Sequence, residues 1–192
     1  MNLSDLSPLD IKMIVIAGVV LLVAVLASLY MRRRKTAALR KKFGSEYNRA
    51  VLVHGSERKA EAKLTDREKR VEKLTIRDLD SFEHERFAKQ WENVQARFVD
   101  SPKGAVLEAD DLVCALMKAR GYPVSDFEQR AADISVDHPK VVENYRSAHE
   151  TTTRVGRSEA TTDELRAAMI HYRALYEELM QAAPAVVQKA AS

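Results

Sequence analysis

The segment between residues 120 and 149 combines charged and aromatic side chains more densely than a solvated surface needs. Its candidate functional residues are Asp126, Arg130, Asp133, His138, Glu143, Tyr145 and His149. One interpretation is a polar pocket or a docking face. The other is an ion-pair network, centred on Arg130, that ties a short helix to its neighbours. Carboxylates are plentiful here, but nothing in their spacing fixes a general acid–base pair.

The histidines do not predict a metal site. His138 and His149 are eleven residues apart, so on one helix they would share a face but lie ~16 Å apart along the axis. They therefore cannot bind one metal ion together. Tyr145 lies four residues before His149, a spacing at which two helical side chains can form a hydrogen bond. The remaining histidines are isolated in the sequence: His54, His84 and His171.

Cys114, the single cysteine, lies inside the apolar run LVCALM, where a small core residue is expected rather than a reactive thiolate. One cysteine also excludes an intrachain disulfide and a cysteine-based zinc site. No G-x-S-x-G, P-loop, G-x-G-x-x-G or H-E-x-x-H motif occurs. We therefore predict that the protein is not an enzyme, with no catalytic residue, no metal site and no cofactor.

The elements that must position these residues are helices, because every strongly periodic segment has helical spacing. The sequence predicts an all-α fold with helices over about 36–54, weakened at Gly44, and over 57–75, 81–98 and 102–120. Further helices are expected after Ser125, near His138 and after Thr161. Their apolar faces can build one bundle of about 140 residues.

Capping residues mark several of these helix ends. The predicted N-terminal caps are Ser101 before Pro102, Ser125 with Glu128, Asp137, and Thr161 with Glu164. Gly121 is expected to end its helix in the left-handed conformation. Residues 151–160 are expected to form a polar loop.

The segment 57–75 is the most heavily charged, since twelve of the seventeen residues from Glu57 to Lys73 carry a charge. An apolar stripe runs along it, but Arg67 occupies a position where a heptad needs an apolar residue. The helix is either a short coiled coil or a solvated, salt-bridged edge of the domain. Its sequence is compatible both with packing on the domain and with extending away from it.

Residues 11–31 predict a transmembrane helix. The run from Met13 to Met31 contains nineteen residues without a charge, close to the ~20 needed to cross a bilayer core. A cleaved signal peptide is the alternative. It is disfavoured because residues before the run are acidic, the bases follow it, and Ala24 and Ala27 do not form a cleavage site.

A basic block follows the apolar run. Its seven bases are Arg32, Arg33, Arg34, Lys35, Arg40, Lys41 and Lys42. Because bases beside a membrane segment stay on the cytoplasmic side, the N-terminus should face outward and the remaining chain should be cytoplasmic. The block either sets topology alone or also attracts anionic lipid headgroups.

The basic block also explains the pI of about 8.9. Residues 43–192 carry 26 acidic and 23 basic side chains. The body of the protein is therefore mildly acidic, and no nucleic-acid partner is expected.

Four blocks resemble an uncharacterised bacterial family of small proteins described as hypothetical, membrane or secreted, which often have one N-terminal hydrophobic segment. They are FGSEYNRAV (43–51), QARFVDSPKGAVLEADDLV (95–113), RAADISVDHPKVVENYRSAH (130–149) and HYRALYEEL (171–179). The resemblance covers nearly all of residues 43–180, both in the sequence of the blocks and in their order along the chain. It implies a bacterial source and a shared helical domain, and it implies no activity, cofactor or catalytic residue.

The sequence thus predicts five parts. They are a short extracytoplasmic N-terminus (1–10), a transmembrane helix (11–31), a basic juxtamembrane segment (32–42), a cytoplasmic helical domain (43–180) and a flexible tail (181–192). We expect a single-pass protein of the bacterial inner membrane whose domain binds another protein or itself. The alternative function is a domain that senses a small ligand or signal through the polar cluster at 120–149. An enzyme whose scattered carboxylates and histidines match no motif is the third and most distant alternative.

Overall fold

The computed structural model describes residues 8–123, 125–157 and 159–181. Within these ranges the chain contains eight α-helices and no strand, so the predicted all-α fold is confirmed. The chain divides into two units, residues 1–41 and 42–192. Residues 1–7 of the predicted extracytoplasmic segment and residues 182–192 of the predicted tail lie outside the described residues.

Helix α1 (Pro8–Phe43) is continuous over 36 residues. The large apolar side chains that the structure describes between Met13 and Met31 are 48% to 69% exposed. Among the described helices, it is the one long and apolar enough to cross a bilayer. The seven residues of the basic block lie on this same helix and are all exposed: Arg32, Arg33, Arg34, Lys35, Arg40, Lys41 and Lys42.

The second unit contains seven described helices. They are α2 (Ser45–His54), α3 (Glu57–Val71), α4 (Ser81–Asp100), α5 (Pro102–Ala119), α6 (Phe127–Asp137), α7 (Val142–Val155) and α8 (Thr162–Gln181). Three consecutive pairs pack together: α2 with α3, α4 with α5, and α7 with α8. Helix α5 also packs on α7 and α8, while α6 contacts α3 and α7. Helix α2 contacts α7 as well, which places α2, α6 and α7 around one region of the surface.

The main core lies where α4, α5, α7 and α8 meet. The apolar residues at helical spacing predict the inner faces of α5 and α8, and all of them are buried: Ala105, Val106, Ala109, Leu112, Val113, Leu116 and Met117 on α5, and Leu165, Ala168, Met169, Tyr172, Leu175, Tyr176 and Leu179 on α8. Trp91 of α4 stacks on Tyr176 of α8 with ring centroids 4.6 Å apart. The same spacing predicts an inner face on α4 that ends at Phe98, and this residue is only partly buried. The hydrophobic spacing therefore identified the core faces correctly.

The charged segment 57–75 packs on the domain. Ala60, Leu64 and Val71 of α3 are buried, and α3 contacts α2 and α6. Arg67, the residue that interrupts the apolar stripe, donates to the buried carboxylate of Glu46 on α2. An ion pair thus takes the place of an apolar contact at this position. The helix ends at Val71, and the chain continues through a turn.

The predicted Thr161–Glu164 capping box and the Gly44 break are confirmed. Glu164 N–H donates to Thr161 Oγ1 (3.3 Å), and Thr161 N–H donates to the Glu164 carboxylate (2.8 Å). These bonds, with Arg154, lower the pKa of Glu164 to about 2. Gly44, with φ of 53°, separates α1 from α2.

Three predictions about helix ends are wrong. Asp126, not Ser125, caps α6, because its side chain accepts from Gln129 N–H. Asp137 caps no helix, since it is the last residue of α6 and α7 begins four residues later than expected, at Val142. Residues 151–155 belong to α7 rather than to a polar loop. The hydroxyl groups of Thr151 and Thr152 donate hydrogen bonds to backbone carbonyl groups one turn earlier, so these polar residues remain helical.

One further capping residue gives a partial match. Ser101 is the residue before α5, and Pro102 occupies the first turn as predicted. The Ser101 side chain forms no capping hydrogen bond. Proline geometry, rather than a serine cap, therefore marks this helix start.

Gly121 ends α5 in the left-handed conformation, as predicted, with φ of 98°. The adjoining backbone is close to another segment, because Arg77 N–H donates to the Arg120 carbonyl at 2.9 Å. A Cβ atom at residue 121 would overlap the carbonyl oxygen of Thr75. Both the backbone angle and the neighbouring backbone therefore require glycine here.

We expect Gly121→Ala to lower the free energy of unfolding by about 3 kcal/mol, because strain and overlap with rigid backbone add together. Gly55→Ala is the matched control, since Gly55 has φ of 72° but no atom within 4 Å of its Cβ position. Its loss should be about 1 kcal/mol. Urea denaturation measures both values. Equal losses for the two variants would contradict the overlap.

Candidate functional site

The predicted cluster does not form one site. Asp126 lies at the start of α6 as its cap, with its carboxylate 2.9 Å from Gln129 N. Asp133, on the same helix, is 1% exposed and accepts from Arg70 Nε of α3 at 2.7 Å. Each of these two carboxylates has a structural partner, one holding a helix start and the other joining α6 to α3.

Arg130 is not the centre of an ion-pair network, so that interpretation is wrong in its details. Its guanidinium donates to the Ser125 carbonyl (2.6 Å) and to the Tyr145 hydroxyl (3.2 Å). Burial acts to lower the pKa of Arg130, but Tyr145, Cys114 and Asp110 together raise it further, so the pKa stands above its usual value. Arg130 therefore closes the loop before α6 onto α7.

His138 does not lie on α7 with His149, so the predicted spacing along one helix does not apply. His138 follows α6 rather than lying on α7, and its Nδ1 is 3.1 Å from Glu178 of α8. The two histidines do not share a helix. His138 thus contributes to the contact between the α6–α7 turn and α8.

Tyr145 points into the core and does not bond to His149. Its hydroxyl accepts from Arg130 and lies 3.9 Å from the Cys114 sulfur. Burial raises the pKa of Tyr145, with the neighbouring Cys114 adding to the effect. Burial also raises the pKa of the Cys114 thiol, and Asp110 raises it further. The thiol is therefore protonated and half-buried, as expected of a core cysteine rather than a nucleophile.

His149 lies between the carboxylate of Asp110 and an aromatic ring. It stacks on Phe127 with centroids 3.7 Å apart. Its Nδ1 is 3.8 Å from Asp110 Oδ2, which is too long for a hydrogen bond. Asp110 accepts instead from the Tyr172 hydroxyl at 3.0 Å. The Phe127–His149 pair forms a flat surface at the junction of α6 and α7.

The strongest ionic centre in this region is Glu46 of α2. Its side chain is 3% exposed and accepts from Arg67 Nη1 (3.2 Å) and Arg146 Nε (2.9 Å). Arg146 also donates to Glu128 at 2.8 Å. Burial acts to lower the pKa of Arg146, and its bonds to Glu46 and Glu128 outweigh that effect. One carboxylate therefore joins α2, α3 and α7.

A cleft of about 440 Å³ opens beside this ionic centre, between α2, α6 and α7. Its lining residues are Ser45, Glu46, Arg49, Phe127, Glu128, Glu143, Arg146, Ser147, His149 and Glu150. Of the predicted candidates, Glu143 and His149 line it. Asp126, Arg130, Asp133, His138 and Tyr145 are not among the lining residues.

The residues that sequence reasoning missed come chiefly from α2 and α3. Glu46 and Arg49 lie in the predicted helix 36–54, and Arg67 lies in the charged segment 57–75, which the sequence predicts to be either a coiled coil or an edge of the domain. Glu46 and Arg146 are 100 residues apart, and periodicity does not report such a pairing. Arg67 at an apolar stripe position was the available signal for a buried counter-charge.

No group of three or more metal-binding side chains occurs among the described residues. Comparisons of the chain with protein-family models, with curated proteins and with solved structures give no match. The site is therefore defined by its own geometry.

We expect Glu46→Gln to lower the free energy of unfolding by about 3 kcal/mol, because Arg67 and Arg146 would lose their shared buried counter-charge. Glu177→Gln is the control, since Glu177 forms an exposed pair with Arg173 on α8. That loss should be about 0.5 kcal/mol or less. Urea denaturation at neutral pH compares the variants, and similar losses would show that Glu46 is not an essential junction.

Proposed function

We propose that this is a single-pass protein of the bacterial inner membrane that holds a helical protein-interaction domain at the cytoplasmic face. The exposed apolar run of α1 carries the proposal. Nineteen residues from Met13 to Met31 lack a charge, and a helix of that length spans ~28 Å, about the thickness of a bilayer core. Exposed side chains of this kind are stable in hydrocarbon rather than in water.

The distribution of residues around α1 favours crossing the bilayer over lying on its surface. The apolar residues of the run occupy every face of the helix, whereas a surface-bound helix has one apolar and one polar face. Arg32, Arg33, Arg34 and Lys35 are consecutive, so at ~100° per residue they surround the axis. A ring of bases matches a headgroup layer that the helix crosses, and it favours a cytoplasmic C-terminal side.

An apolar groove on the second unit supports the interaction role. It has a volume of about 170 Å³, and its lining residues are Trp91, Gln95, Phe98, Arg166, Met169, Ile170 and Arg173. Ile170 is 62% exposed. Aromatic, methionine and arginine side chains are enriched at protein interfaces. The groove between α4 and α8 is the surface that we propose for a protein partner or a second copy.

A second candidate function, the sensing of a small ligand, is favoured by the cleft between α2, α6 and α7. It is concave and combines an aromatic surface with several charged groups. We propose no enzyme activity for the chain. Nucleic acid is not proposed as a partner, since the body carries a net negative charge.

Cysteine labelling tests the topology. In a Cys114→Ala background, a membrane-impermeant maleimide should label Ser4→Cys in cells whose outer membrane alone is permeabilised. Lys89→Cys, on the exposed surface of α4, should react only after lysis, because the inner membrane shields it. Labelling of Lys89→Cys before lysis would contradict the orientation. A mature chain that lacks the apolar run by mass spectrometry would instead identify a signal sequence.

Site-specific photo-crosslinking in cells tests the interaction surface. A crosslinking amino acid at Ile170 should give one discrete adduct, and Phe98→Ser should reduce its yield at least tenfold by removing an anchor of the groove. Arg58 is the control position, because it is exposed on α3, a helix that packs mainly on α2 and α6 rather than beside the groove. Equal adducts from both positions, or none from Ile170, would exclude the groove.

A further inference from the structure

Some of the charged side chains that line the α2–α6–α7 cleft form ion pairs with one another, and others do not. Glu46, Glu128 and Arg146, together with Arg67 beneath them, neutralise one another in close ion pairs. These groups form a rigid wall with two negative and two positive charges. They therefore have little capacity left for a charged ligand.

Three lining side chains remain without an ionic partner in the part of the chain that the structure describes: Arg49, Glu143 and Glu150. All three are exposed to solvent at the cleft. Glu143 and Glu150 lie seven residues apart on α7, two turns of one face, so their Cα atoms are ~10 Å apart along the axis. Arg49 belongs to α2, on another side of the cleft.

The surface between these charges is partly apolar. Phe127 lines the cleft and stacks on His149, and its ring packs edge-on against Tyr145. An apolar chain can pack against such a ring pair and exclude water from it. The cleft therefore offers two separate carboxylates, one guanidinium and an apolar contact.

We propose that this cleft is a binding site for a basic amino acid, which carries two cationic groups, one carboxylate and an aliphatic chain. In this site Arg49 binds the carboxylate. Glu143 and Glu150 bind the α-ammonium and the side-chain cation, and the methylene groups pack against Phe127 and His149. The ligand charge of +1 neutralises the −1 left by the three unpaired residues.

The volume of the cleft is compatible with this class of ligand. About 440 Å³ is within the range of small-molecule sites and exceeds what one amino acid fills, so bridging water has room to complete its hydrogen bonds. A monovalent metal ion would leave the apolar surface and Arg49 unused. An anion would meet two carboxylates, and these would repel it.

Calorimetric titration of the full-length protein in detergent tests the site with L-lysine and L-arginine as probes. Cadaverine, which lacks the carboxylate, and L-norleucine, which lacks the side-chain cation, should each bind at least tenfold more weakly. Arg49→Gln should weaken lysine binding at least tenfold but should not weaken cadaverine binding. Glu143→Gln and Glu150→Gln should weaken both. Glu85→Gln, an exposed substitution on α4, is the control and should change neither.

Either of two results would overturn the proposal. One is that neither L-lysine nor L-arginine gives a heat of binding at millimolar concentration, even if a lysine-rich peptide does bind. The other is binding that survives Glu143→Gln and Arg49→Gln unchanged. Ligand binding by the protein in detergent does not depend on how the protein is oriented in a membrane. A negative binding result therefore leaves the proposed topology unaffected, and a labelling result that contradicts the topology leaves the binding result unaffected.

Discussion

The carboxylate of Glu46 is the interaction on which the second unit most depends outside its apolar core. No described residue of α2 or α3 belongs to that core, so another contact must hold these helices beside α7. Glu46 provides it by accepting from arginines on both α3 and α7. A buried carboxylate with two arginines specifies one arrangement of three helices, because any other leaves a charge without a partner. The cleft exists because this arrangement holds α2 beside α7.

The hydrophobic pattern predicted the faces of α5 and α8 completely, because apolar residues at helical spacing must be buried in any compact arrangement. The α6–α7 junction was predicted incorrectly. Asp137 resembles a cap in sequence, but its carboxylate accepts from the Tyr122 hydroxyl, a contact made only after α5 and α6 pack. Local sequence signals predict a helix or a cap correctly where the residues next to it in sequence supply its hydrogen bonds. They fail where a side chain farther along the chain forms the hydrogen bond instead.

The same limit applies to the candidate site. The cluster at 120–149 was recognised as unusual, and two of its seven candidates line the cleft. The opposite wall comes from α2, about 100 residues earlier in the chain. Periodicity assigns a residue to a face of its own helix, but it does not identify the helix that this face meets. Arg67, a charge in an apolar stripe, was the single local sign that a buried partner existed elsewhere.

Helix α6 is held to the domain by a mixture of polar and apolar contacts. Asp133 bonds to Arg70, Asp137 to Tyr122 and Arg130 to Tyr145, while Ala131 and Ile134 lie in the apolar core. With only 11 residues, α6 buries less apolar surface than α5 (18 residues) and α8 (20 residues), so it opens locally at lower free energy. Amide hydrogen exchange should therefore be faster in α6 than in α5 and α8. Since Phe127 is the first residue of α6, occupancy of the cleft would slow that exchange, and the helix would report on the ligand.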